Sequence, residues 1–162
     1  MKIIIAKTAG FCFGVHRAVD AVYESRKKYR TISTLGPIIH NPQVVSELER
    51  AGIKAVDSPE EANTEAVVIR SHGCTPEDKR KLAEKGIAIV DATCPFVAKI
   101  QRIAEEAYGA GEQVVIVGEA NHPEVIGING YCGNNAIIIN SIDEAKKIPY
   151  TKKKLCLVAQ TT

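Results

Sequence analysis

The chain has 162 residues, 45% of them hydrophobic and 25% charged, which suits one folded domain or two small ones and excludes a disordered polymer. Its 21 Lys and Arg against 19 Asp and Glu leave a net charge of +2, with the basic residues scattered, which argues against a nucleic-acid partner. No apolar run approaches the roughly 18 residues of a membrane span, and the apolar run that opens KIIIAKT is too short for a signal-peptide core.

Short β-branched runs alternate with amphipathic stretches along the chain. Strands are predicted at Lys2–Ala6, Thr31–Leu35, Lys54–Val56, Ala66–Arg70, Ala88–Asp91, Gln113–Val117, Ala136–Asn140 and Leu155–Ala159. Val114–Val117 and Ile137–Ile139 are apolar throughout, as parallel strands covered on both faces are. Between strands, Val15, Ala18, Val19 and Val22 fall at helical spacing, and so do Val97, Ile100, Ala104 and Ala107. Ser58-x-x-Glu61 and Ser141-x-x-Glu144 read as capping boxes. Pro42, Pro76, Pro95 and Pro123 each stand at a first helical position. Gly52, Gly86 and Gly111 follow helices where a left-handed residue ends the turn. Lys152–Lys154 reads as a solvated loop.

The sum is an α/β protein with mostly parallel sheets. Residues 1–95 and 96–162 each read as an α/β module, with the seam at Cys94-Pro95. The last predicted strand hands over to Gln160-Thr161-Thr162 rather than to a helix. The second module is therefore expected to be incomplete, and the chain a truncated part of a longer protein. Five cysteines, Cys12, Cys74, Cys94, Cys132 and Cys156, are an odd number with no C-x-x-C pair. That argues against a disulfide scaffold or a zinc knuckle, and with no export signal it points to a reducing cytoplasm. Three of the five are read as small buried hydrophobes.

Open α/β sheets bind ligands at the carboxyl ends of their strands. After the predicted strands come Cys12, His40, His72, Cys94, His122 with Glu124, and Thr161. Any one histidine there is most simply a loop or cap residue. The joint placement of three of the four histidines and two cysteines at one edge is not so simply explained. Cys12 lies just before a helix and Cys94 at a helix N-cap, where the helix favours a thiolate, the form that binds metals and attacks electrophiles. Helix N-termini joined by His40, His72 and His122 would make a phosphate or diphosphate site. The phosphate-loop pattern G-x-x-x-x-G-K-[ST] is absent. Glu124, in the first turn of its helix, is either a proton donor or a residue complementing the helix dipole; on position alone the second reading is the stronger.

The strings AGFCFGVHRA, HNPQVV, RSHG, DATCP, NHPEVIG and the terminal QTT, in this order, resemble those of the 4-hydroxy-3-methylbut-2-enyl diphosphate reductases. The resemblance runs from residue 10 to the end of the chain. It implies repeated three-layer αβα modules, of which the chain would cover about two of three, around an iron–sulfur cluster, of [4Fe–4S] type, held by three cysteines. Cys12 and Cys94 match two of them, and the third ligand would lie outside this chain. His40, His72 and His122 match histidines that contact the substrate's diphosphate or hydroxyl. Glu124 matches the acid that relays protons, with His122 beside it, and Thr161 matches a substrate-contacting threonine. The implied reaction is a two-electron reductive dehydroxylation to isopentenyl and dimethylallyl diphosphates, with a ferredoxin or flavodoxin as donor. The resemblance also implies that the chain alone is catalytically incompetent.

Two other readings compete. A low-molecular-weight phosphatase also has a Cys loop and an Arg, but its pattern needs five residues between them, and Cys12 and Arg17 have four. A non-catalytic diphosphate-binding fragment is the third.

Overall fold

A computed structural model describes residues 2–4, 6, 9–149 and 152–161. The elements run α1 (Phe13–Lys28), β1 (Ile32–Leu35), α2 (Pro42–Arg50), β2 (Lys54–Val56), a short 3-10 turn at Pro59–Glu61, β3 (Ala66–Ile69) and α3 (Pro76–Glu84). They continue with β4 (Ala88–Asp91), α4 (Pro95–Gly109), β5 (Gln113–Val117), α5 (Pro123–Tyr131), β6 (Ile137–Ile139), α6 (Ile142–Ala145) and β7 (Leu155–Ala159).

The strands form two parallel sheets, ordered β2-β1-β3-β4 and β6-β5-β7. In the first, Ala66, Val67, Val68 and Ile69 of central β3 are all fully buried, so its run of β-branched residues has no polar face. Ala66 and Val68 pack with Ala18 and Val22 of α1 and Leu48 of α2. Val67 and Ile69 face the other way, onto Leu82 of α3 and Ala62. Helices on both faces make this a three-layer αβα arrangement. In the second sheet, Val114 and Ile116 pack against Ala104 and Ala107 of α4 and Val125 and Ile128 of α5. Fully burying a Val or Ile contributes about 1.5–3 kcal/mol, so these stripes hold both sheets.

Helix starts follow local chemistry. Pro42, Pro76, Pro95 and Pro123 each open a helix. Asn41 caps α2 by accepting from the Gln43 and Val44 N–H groups. Gly52, Gly86 and Gly111 take φ of +82°, +70° and +79° after their helices, as expected.

Three expectations are corrected. Ser58 caps nothing with its side chain; the Glu61 carboxylate instead accepts from the Asp57 N–H. Ser141 accepts from the Glu144 N–H, but Glu144 reaches back to Asn140 rather than to Ser141, so the box is displaced by one residue. The reciprocal box is at Thr75 and Asp78, where the acid is Asp rather than Glu or Gln. The predicted strand Lys2–Ala6 is not seen: residues 2–4 and 6 carry no regular structure, and Ile5 lies outside the described residues. Ile3 and Ile4 are about three-quarters exposed (75% and 77%), and an apolar run becomes a strand only where a sheet edge pairs with it. Strands at Thr31–Leu35, Ala66–Arg70 and Ala136–Asn140 are each trimmed by one or two residues at their ends. Among the described residues no helix is long and apolar enough to cross a membrane.

Candidate functional site

The loops after β1, β3 and β5 carry His40, His72 and His122, and the fold brings the three imidazoles together across the two sheets. Ring centres lie 4.7 Å apart for His40 and His72, 5.3 Å for His72 and His122, and 6.0 Å for His40 and His122. His40 is exposed, His122 half-buried and His72 only 4% exposed. His122 is the N-cap of α5, and its Nδ1 accepts the Glu124 N–H at 3.2 Å. That acceptor role leaves Nε2 as the ring's donor. Burial, helped by the neighbouring His40, Arg70 and His122 side chains, pushes the His72 imidazole down to about 4. At neutral pH His72 therefore offers hydrogen bonds rather than charge.

Glu124 is completely buried. Its Oε1 accepts both the N–H and the hydroxyl of Thr161, each at 2.8 Å, joining the end of β7 to the start of α5. Gln160 anchors the same stretch, its Oε1 accepting the Glu119 N–H at 3.0 Å. Thr162 lies outside the described residues. His40, His72, His122, Glu124 and Thr161 thus form one constellation.

Among the described residues, three buried side-chain nitrogens have no hydrogen-bond partner: Arg70 Nε, His72 Nδ1 and Gln101 Nε2. Arg70 and His72 flank Ser71. Gln101, from α4, fills the space over Gly73 and Gly127: a Cβ on Gly73 would meet its Nε2 at 2.5 Å, and one on Gly127 at 3.2 Å. Leaving a buried donor unpaired costs about 1–3 kcal/mol.

The cysteines form a second grouping. Cys12 is the exposed N-cap of α1 and Cys94 the half-buried N-cap of α4, and neither side chain makes a capping hydrogen bond. The Cys94 sulfur rests on Gly14: a Cβ there would meet Sγ at 2.8 Å. So the two helix starts meet at a glycine two residues beyond Cys12. Arg17 locks this junction, its Nη1 donating to the Thr93 carbonyl at 2.5 Å and its Nη2 to the Asp91 carbonyl at 3.2 Å. With its fork engaged by those carbonyls, Arg17 does not serve a phosphate cradle around Cys12. The Asp91 carboxylate accepts from the Thr93 N–H and hydroxyl and from Lys79. A groove lined by Phe11, Val15, Ile39, His40, Ser71 and His72 joins the residue before Cys12 to the imidazoles.

The other cysteines are core residues. Cys74 and Cys132 are buried, and burial pushes their thiols up to about 12 and about 11. Cys156 is half-buried in the core of the second sheet. Sequence reasoning missed Gly14, Lys79 and Gln101, and saw Arg17 only as part of a rejected pattern. The one local hint was the close spacing of Gly14 and Arg17 after Cys12.

Fold and site define a parallel α/β protein that gathers imidazoles, a buried carboxylate and the Cys94 thiol beyond its strand ends, where such folds hold ligands, with Cys12 at the start of α1. The chain belongs to the LytB family, whose model, described as LytB protein, matches residues 3–162. It is 48% identical over its whole length to the 4-hydroxy-3-methylbut-2-enyl diphosphate reductase of Caldanaerobacter subterraneus subsp. tengcongensis, of which it covers 58%. It is 45% identical to the reductase of the same description from Geobacter metallireducens, of which it covers 57%. The chain thus spans somewhat over half the length of these relatives. A solved structure described as (E)-4-hydroxy-3-methyl-but-2-enyl diphosphate reductase, the terminal enzyme of the non-mevalonate pathway, superposes with a TM-score of 0.84 at 43% identity. That superposition covers 99% of this chain and 58% of the other. The Plasmodium falciparum E-1-hydroxy-2-methyl-but-2-enyl-4-diphosphate reductase superposes with a TM-score of 0.90 at 28% identity, covering 96% of this chain and 50% of its own.

Proposed function

We propose that this chain carries cluster- and substrate-binding residues of a 4-hydroxy-3-methylbut-2-enyl diphosphate reductase. The reaction adds two electrons and two protons to the allylic alcohol, breaks its C–O bond and releases water, giving isopentenyl and dimethylallyl diphosphates. The observation that supports this most is the meeting of His40, His72, His122 and buried Glu124 beside the Cys12–Cys94 junction. The division into modules 1–95 and 96–162 belongs to the same reading, the first sheet lying within the former and the second within the latter.

Cys12 and Cys94 suit an iron–sulfur cluster of [4Fe–4S] type. Both thiols stand at helix starts without capping bonds, and Gly14 leaves room for the Cys94 sulfur where any Cβ would not. When bound, such a cluster supplies the electrons and an iron that polarises the substrate hydroxyl. The chain's own residues do the rest. His122 donates from Nε2, and His40 and neutral His72 add donors for diphosphate oxygens. Glu124, buried and positioned by Thr161, would relay a proton to the leaving hydroxyl. A ferredoxin or flavodoxin is the donor class for such a cluster, and five free cysteines suit a reducing cytoplasm.

Calorimetry with the allylic diphosphate under anaerobic conditions tests the reading. His40→Ala and His72→Ala are each expected to weaken binding at least about tenfold, the loss of one charge-assisted hydrogen bond. Glu124→Gln should bind within a few-fold of the parent, while turnover of the complete enzyme falls about 100-fold or more. Unchanged affinity in both histidine variants would contradict the reading.

A further inference from the structure

We propose that Gln101 is a positioning residue for the histidine constellation: its buried side chain sets the distance between the loop that carries His72 and the helix that His122 caps. What the constellation binds rests on the reductase reading; the spacing stands on geometry alone. α4 is the connection between the two sheets, running from β4 of the first to β5 of the second. Its buried stripe is Val97, Gln101, Ala104 and Ala107, so one long polar side chain stands among smaller apolar ones. Gln101 is 3% exposed, and its Nε2 has no hydrogen-bond partner. With that nitrogen unpaired, the carboxamide acts on its surroundings through its bulk.

Two glycines close on it from opposite sides. Gly73 directly follows His72 and takes φ of +75°; a Cβ there would meet Gln101 Nε2 at 2.5 Å. Gly127 lies in α5, three residues beyond Glu124; a Cβ there would meet the same Nε2 at 3.2 Å, and the Cys74 and His72 carbonyls at 3.6 and 3.7 Å. One amide is thus the spacer between the backbone beside His72 and the helix that carries His122 and Glu124. The elements around it are fixed separately. Gly73 N–H donates to the Arg70 carbonyl at 3.0 Å and Cys94 N–H to the Ser71 carbonyl at 2.8 Å, which pins the loop. Ala104 and Ala107 pack with Val125 and Ile128, which pins α4 on α5. A void at the amide therefore falls on the gap between His72 and His122, whose ring centres lie 5.3 Å apart. Fixed donors bind an anion well only while their spacing matches it, and a misplacement of about 1 Å can cost 100-fold.

Two measurements test the spacing and keep it separate from the reductase reading. In the chain with labelled histidines, NMR reads the nuclear Overhauser contact between the His72 and His122 ring protons, and calorimetry reads affinity for the allylic diphosphate. Gln101→Ala should weaken or abolish the ring contact and bind the diphosphate about tenfold less tightly or worse. Gln101→Met, of similar length but apolar, should keep the contact, bind within a few-fold of the parent and melt at or above its midpoint, the unpaired donor being gone. Val114→Ala makes a void elsewhere in the core of the second sheet; it should lower the midpoint and leave contact and affinity unchanged. An unaltered ring contact in Gln101→Ala, a Gln101→Met no better than Gln101→Ala, or the same losses in Val114→Ala would each overturn the proposal. A parent that binds no diphosphate would overturn the reductase reading alone, with the ring contact still deciding the spacing.

Discussion

His72 pairs deep burial with an imidazole that stays neutral well below its ordinary range, at about 4 against 6.5. Between those values the unfolded chain binds a proton that the folded chain refuses. Stability contributed by neutral His72 is therefore complete above about pH 6.5 and falls as the pH drops toward 4. At about 1.4 kcal/mol per unit, the loss over that window is about 3 kcal/mol. Thermal unfolding of the parent from pH 7 to 4 should show a steeper decline than that of His72→Gln; parallel curves would mean that His72 titrates normally. The positions of His40, His72, His122 and Glu124 after their strands were legible from the sequence. Carboxyl-end loops are identifiable once strands are. The neutrality of His72 and the full burial of Glu124 were not, because the first depends on burial and on neighbours distant in sequence and the second on packing that brings Thr161, 37 residues on, to its carboxylate.

At the scale of elements, the meeting of α1 and α4 turns on Gly14. Alanine is intrinsically better than glycine inside a helix by about 1 kcal/mol, so Gly14→Ala has no local reason to destabilise α1. Its Cβ, however, would stand 2.8 Å from the Cys94 sulfur. The thermal midpoint of Gly14→Ala should stay near that of the parent while iron retention after anaerobic reconstitution falls several-fold; full retention would show that the Cys94 thiol tolerates displacement. Four proline starts were readable because a missing N–H costs nothing at a helix's first turn. The capping boxes were less so. Ser58 precedes only a three-residue turn, and the working box uses Asp78, an acid outside the usual pattern. Gly14 and Arg17 escaped because their partners at Cys94 and Thr93 are distant in sequence, 76 residues away in the case of Arg17.

On the scale of the whole molecule, a polar link among the described residues joins the first sheet's helices to α5. Lys79 of α3 donates to Asp91 at 2.8 Å and to the Tyr131 hydroxyl of α5 at 3.2 Å, with its ammonium 5.9 Å from the Tyr131 ring centre. Burial alone would lower its affinity for the proton, yet the bonds to Asp91 and Tyr131 outweigh it and raise it. Since the Asp91 side chain is 42% exposed, solvent screens the pair, and Lys79→Met should cost only about 1 kcal/mol in chemical denaturation. A loss of several kcal/mol would mean that this contact, rather than apolar packing, holds the sheets together. Parallel α/β architecture was legible because β-branched runs such as Ala66–Ile69 are apolar on both faces. Lys2–Ala6 misled for the same reason: its side chains fit a strand, but a strand also needs a neighbour. Cys12 and Cys94 are the proposed joint ligands of the cluster. Their role is tested most directly by iron and acid-labile sulfide per chain after anaerobic reconstitution of the complete enzyme as parent and of its Cys12→Ser and Cys94→Ser variants. We predict iron and sulfide in equal amounts in the parent and their loss in either variant. A folded parent that takes up neither, or variants that keep both, would contradict it.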